Sequence, residues 1–173
     1  MTRRRLLSLL AVAPLPSLGG RGCILRNGQL LHEWGDQAEV RDVLSSAKPV
    51  LTTLLLFAIH EKKISNLNTP IANFGWDLAP KDRSITFAHL TSMTSGYGRP
   101  EPPGAAWAYN DFAINLYQLT LFDRLFRQPP ELAAARLSNA LQLQDGLHFR
   151  PSNRRLSTSV RDFARIAEFW RNK

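Results

Sequence analysis

Ser45 and Lys48 stand three residues apart where the segment DVLSSAKPVLTTLLLFAIHEKKI, residues 42–64, turns from polar to apolar. On a helix that spacing places a hydroxyl and an amine on one face. A serine hydroxyl is a poor nucleophile at neutral pH and needs an adjacent base. An amine held against the apolar body VLTTLLLFAI loses solvation, and its neutral, proton-accepting form becomes accessible. A helix start adds backbone amides where a tetrahedral oxyanion would form. Together these groups read as acylation chemistry. A plainer reading stands beside it: serines at helix starts serve as N-caps, first-turn lysines are usually solvated, and Ser-x-x-Lys recurs by chance.

The elements that must position these residues follow from periodicity and punctuation. GCILR and QLLHEW flank Asn27-Gly28, a dipeptide that favours a tight hairpin, so two antiparallel strands open the domain. QAEVRD is a short polar link. The apolar helix then runs from Ser45 or Ser46 to Lys62 or Lys63, and Pro49 is tolerable so near its start. SITFAHLTSMTSGYG predicts a short helix from Thr86, stopped by Gly96 and Gly98. RPEPPGAAWAYN is a proline-rich loop in which Trp107 is expected to pack. DFAINLYQLTLFDRLF predicts a second long helix with Phe112, Leu116, Leu119, Phe122 and Phe126 near helical spacing. PPELAAARLSNAL gives a third, after Pro129 and Pro130. Loop follows to Arg155, and TSVRDFARIAEFW forms a last helix capped by Thr158 or Ser159. Beyond the hairpin no further strand is legible, although a two-stranded hairpin is marginal alone.

The 173 residues suffice for one domain with a core, and 44% apolar with 21% charged residues is the balance of a globular protein. No apolar run reaches the roughly 18 residues of a membrane-spanning helix. A single cysteine, Cys23, excludes an internal disulfide, and His32, His60, His89 and His148 lack ligand spacing, so no metal or cofactor is expected. The net charge of +8 raises nucleic-acid binding as a function. Its distribution opposes that: Arg3, Arg4 and Arg5 lie in the leader, Arg150, Arg154 and Arg155 in one loop, and the rest alternate with acids. The leader, residues 1–20, has the basic start and short apolar run of an export signal, with TRRRLL similar to a weak twin-arginine signal. A periplasmic or secreted location follows if it acts, a cytoplasmic one if not. Residues 21–173 form the domain.

Read in order, SSAK, HLTSMTSGYG and WAYNDFAINLY resemble the serine beta-lactamase and penicillin-binding protein superfamily, nearest in style to its class C branch and related esterases. The resemblance runs from about Gly22 to Trp170 and includes STSVRDFARIAEFW. It implies an α+β, beta-lactamase/transpeptidase-like fold. It also implies Ser45 as nucleophile, Lys48 as the group taking or relaying its proton, Tyr109 as a second acid/base, and Asp111 hydrogen-bonded to Lys48. Tyr97, in GYGRPEPPG at one rim, is the candidate substrate contact. The substrate would be a small-molecule ester, amide or beta-lactam, with no nucleic acid or integral membrane span, and with oligomeric state left open.

Two departures qualify the resemblance. Asp111 stands where such proteins more often carry asparagine, and an acid there favours the charged form of its lysine partner. The third motif, Lys or His, then Ser or Thr, then Gly, does not follow Tyr109. That motif's strand also supplies an oxyanion donor, whose loss costs about 10²–10³ in rate. The chain therefore reads as the N-terminal and helical part of such a hydrolase, a partial domain without its C-terminal sheet strands, with weak activity or none. A non-catalytic remnant that binds a partner is the competing expectation.

Overall fold

A computed structural model describes residues 19–172. Of the leader, residues 1–18 lie outside the described residues. Strands β1 (Gly22–Arg26) and β2 (Gln29–Trp34) pair antiparallel, with Arg26 opposite Gln29. Asn27 and Gly28 both take positive φ, 53° and 75°, which is the backbone a two-residue hairpin of native twist requires. The register shifts between Ile24 and Leu25.

The central helix α1 (Lys48–His60) buries Val50, Leu51, Leu54, Leu55 and Ala58. It is apolar on nearly every side, as a helix enclosed by other elements must be. No side chain caps its start. A cap is worth about 1 kcal/mol, whereas each fully buried leucine contributes about 1.5–3 kcal/mol. Packing therefore sets the position of α1.

Around it lie α2 (Phe87–Thr91), α3 (Asp111–Leu119), α4 (Pro130–Ala140) and α5 (Val160–Arg171). Helix α3 runs on into a wider π-helical turn, Thr120–Phe126, where the Thr120 hydroxyl donates to the Leu116 carbonyl at 2.6 Å. Phe87 meets Tyr117 edge to face at 6.2 Å, and Phe122 meets Phe149 likewise at 5.3 Å. Helix α2 is shorter than its sequence suggests. It begins at a reciprocal cap, Thr86 Oγ1 accepting from the His89 amide and His89 Nδ1 from the Thr86 amide, and ends well before Gly96. Gly96, at φ +60°, is needed for another reason: a Cβ there would lie 2.2 Å from the Glu101 carbonyl oxygen. This close approach folds the proline-rich loop back on itself.

The expectation that no strands follow the hairpin is corrected. Three short strands, β3 (Arg41–Asp42), β4 (His148–Phe149) and β5 (Leu156–Thr158), form a second antiparallel sheet in the order β3-β5-β4. Strands of two or three residues carry no readable alternation, so periodicity passes over them. Their pairing matters to the site: the Val43 amide donates to the Leu156 carbonyl at 3.0 Å and extends the β3–β5 ladder to the doorstep of Ser45. Among the described residues no helix is long and apolar enough to cross a membrane.

Candidate active site

Leaving β3, the chain turns sharply. Asp42 Oδ1 accepts the Leu44 amide at 2.7 Å, and Leu44 takes a left-handed backbone at φ 52°. For a residue with a side chain this costs about 1–3 kcal/mol, so the surrounding contacts must hold it. A 3₁₀ turn, Leu44–Ala47, follows and leads into α1. Ser45 thus lies before the α-helix that was expected to start with it. Neither Ser45 nor Ser46 caps that helix, which removes the plainer reading of Ser45.

Tyr109 comes to this turn from the other side. The Ala108 amide donates to the Met93 carbonyl at 2.9 Å, which ties the incoming chain to the turn after α2. Asn110 caps α3, its Oδ1 accepting the Ala113 amide at 3.1 Å while its Nδ2 donates to the Tyr97 carbonyl at 2.5 Å. Between these two anchors the Tyr109 hydroxyl reaches 2.9 Å from Ser45 Oγ. Lys48 Nζ donates to the same phenolic oxygen and to the Ser45 carbonyl, each at 3.3 Å, and lies 4.6 Å from the Tyr109 ring centre. Lys48 is half-buried and Ser45 exposed.

These three residues line a cleft of about 670 Å³ together with Leu44, Asp111 and Phe112. The expected Lys48–Asp111 hydrogen bond is not formed. Asp111 is exposed on the cleft wall, and Lys48 directs its donors at Tyr109 and Ser45. Tyr97 does not line the cleft. Its half-buried ring packs against the core, and its carbonyl holds the Asn110 cap. A second hollow, about 530 Å³, shares Lys48 and is bounded by Thr91 and Ser92 of the LTSMTSG turn and by Trp170.

Two aromatic residues depart from expectation. Trp107 is 69% exposed instead of packed, and Phe112 is 77% exposed on the cleft rim instead of facing the core. Sequence reasoning missed several lining residues, among them Asn115, Gln118, Asn153 and Arg155. Asn115 and Gln118 carried a signal, being polar positions one turn apart on an apolar helix. Asn153 and Arg155 carried none, since only the β4–β5 turn brings them to the cleft.

The mixed helix and strand fold, with its hairpin and central apolar helix, is that of the beta-lactamase/transpeptidase-like proteins. The family model described as Beta-lactamase matches residues 17–149, and the chain belongs to this family, which is of hydrolase type. Among solved structures it is similar to a beta-lactamase from Mycobacterium bovis, with 20% identity and a TM-score of 0.71 over 96% of this chain and 60% of that one. The octameric penicillin-binding protein homologue from Pyrococcus abyssi gives 12% identity and a TM-score of 0.67 over 88% and 52%. A class C beta-lactamase from Rhodobacter sphaeroides gives 14% and 0.65 over 86% and 58%. The chain thus spans less than two thirds of the length of each of these three. No curated protein matches it in sequence.

Proposed function

We propose that the chain is a serine hydrolase that works through an acyl-enzyme on small-molecule esters, amides or beta-lactams. The observation that carries this is the Tyr109 oxygen, 2.9 Å from Ser45 Oγ and 3.3 Å from Lys48 Nζ. In the reacting state the Lys48 amine carries the phenolic proton. The phenolate oxygen then accepts the Ser45 proton as Oγ bonds to the substrate carbonyl carbon. As the tetrahedral species collapses, the bond to the leaving group breaks and the leaving oxygen or nitrogen receives that proton. Water next attacks the Ser45 ester, gives its proton to Tyr109, and releases the carboxylic acid as Ser45 is reprotonated.

In this reading Asp111 acts as a fixed negative charge on the cleft wall, drawing the Lys48 ammonium without contact. Tyr97 acts through Asn110, as a support for Tyr109. Export to the periplasm or beyond belongs to the same proposal, supported by the composition of the leader and the habit of the family.

Intact-mass measurement after incubation with a fluorophosphonate tests the assignment. One adduct on the wild type and none on Ser45→Ala is expected. A folded wild type that takes no adduct would favour the non-catalytic remnant and end the hydrolase reading for this chain.

A further inference from the structure

Leu44, the neighbour of Ser45 in the chain, stands in a left-handed backbone at φ 52°. A residue with a Cβ populates that region about fivefold to thirtyfold less than the ordinary ones. Its side chain is 64% exposed, so packing does not hold it there. The conformation also has an easy exit. Turning over the single peptide between Val43, at ψ 4°, and Leu44 would bring Leu44 to negative φ and leave the chain on both sides in place.

Two hydrogen bonds oppose that exit, one on each side of the peptide. The Leu44 amide donates to Asp42 Oδ1 at 2.7 Å, and the Val43 carbonyl accepts the Ser46 amide at 3.1 Å. The second bond belongs to the 3₁₀ turn that carries Ser45, so turning the peptide over would open that turn. The Asp42 carboxylate is itself fixed. Its Oδ2 lies 2.7 Å from Arg155 Nε, and the β3–β5 pairing sets Asp42 opposite Ser157. Asp42 does not line the cleft, whereas Leu44 and Ser45 do, so its influence on the reaction runs through Leu44.

We infer that Asp42, braced by Arg155, is a positioning residue: it locks the Val43–Leu44 peptide and thereby keeps the Ser45 turn at Tyr109. The inference rests on the hydrolase reading for the reaction that the turn serves, but the state of the peptide is read separately. Two measurements are made on the full chain. One is the rate of fluorophosphonate labelling of Ser45, followed by intact mass over a range of probe concentrations. The other is the intraresidue amide–Hα Overhauser effect of Leu44 in isotope-labelled protein, strongest at positive φ, where the two hydrogens lie closest.

Asp42→Ala should lower the maximal labelling rate about fivefold to thirtyfold, the population lost from the left-handed state. The half-saturating probe concentration should stay the same, and the Leu44 Overhauser effect should weaken. Asp42→Asn keeps an oxygen for the amide and should retain most of the rate. Leu44→Gly supplies the deciding comparison. Glycine takes either hand about equally, so in that background Asp42→Ala should cost only about twofold. A purely structural Asp42 would lower the urea midpoint while the folded variant labels at the wild-type rate, and that result overturns the inference. So does an equal loss in both backgrounds, or a Leu44 Overhauser effect that is weak in the wild type or unchanged in Asp42→Ala. A wild type that labels, with Asp42→Ala unchanged in both readouts, leaves the hydrolase reading standing and removes the lock. A wild type that takes no adduct, while Asp42→Ala loses the left-handed signal, does the reverse.

Discussion

At the scale of single residues, the site depends on one oxygen with two neighbours. Tyr109 OH joins the side chains of Ser45 and Lys48, which otherwise meet through the Lys48 ammonium and the Ser45 backbone carbonyl. Removing it keeps the ring, and hence the contact with Lys48, but takes away the proton acceptor proposed for Ser45. Tyr109→Phe should therefore slow fluorophosphonate acylation of Ser45 by about 10²–10⁴, the usual worth of a positioned acid/base group. Stopped aliquots analysed by intact mass give the rate. An unchanged rate would assign the proton transfer to Lys48 alone. The pairing of Ser45 with Lys48 was legible because a spacing of three is local helical geometry. The Lys48–Asp111 bond was expected and is absent, because side-chain direction across 63 residues of chain is set by packing, which spacing does not encode.

At the scale of elements, the cleft wall depends on how α5 holds the segment before β4. Ser159 caps α5 through the Asp162 amide at 3.2 Å. The Asp162 carboxylate, 0% exposed, in turn accepts the amides of Gln144, Asp145 and Gly146 at 2.8, 2.7 and 2.8 Å. A buried charge is tolerated only when so fully bonded. Asp162→Ala would strand three amides, and a stability loss of about 3 kcal/mol or more is expected from the lost charge-assisted bonds. Urea unfolding measures it; a loss within about 0.5 kcal/mol, typical of a plain surface site, would show that water replaces the carboxylate. A cap at Thr158 or Ser159 was legible from their place before an amphipathic run, and the structure uses Ser159. The three amides were not, since they belong to a loop 16 to 18 residues away.

At the scale of the whole molecule, the net charge of +8 is dispersed. Arg21, Arg99, Arg136, Arg154, Arg155, Arg161 and Arg171 each face an acid. The pairing sets the response to acid. Hydrogen bonds from Arg161, foremost, hold the Asp145 carboxyl down at about 2, and those from Arg171 and Asn172 do the same for Glu168, also about 2. Their ordinary values are 3.8 and 4.5. A carboxyl depressed on folding adds stability above its unfolded value, and this is lost as pH falls through the folded one. Both contributions are therefore present above about pH 4.5 and disappear towards about pH 2, with solvent screening keeping them small. Arg161→Ala should flatten the fall in stability across that window, read from urea midpoints at several pH values. A slope equal to that of the wild type would mean that the pair does not persist in solution.

What the sequence determined by itself is what short range can encode. Asn27-Gly28 dictated the hairpin, the apolar run after Lys48 a buried central helix, and Ser45, Lys48, Tyr109 and the turn between them the family. The tertiary structure alone decided which of these groups touch. It placed Ser45 in a 3₁₀ turn held by the β3–β5 ladder, turned Phe112 and Trp107 outward, withdrew Tyr97 from the cleft and brought Arg155 into it. The physical reason is the same in each case. Periodicity and capping are properties of neighbours along the chain, whereas the walls of a cleft come from strands of two or three residues and from turns. Those form only when distant segments close on one another, so their pattern is not written in any single stretch.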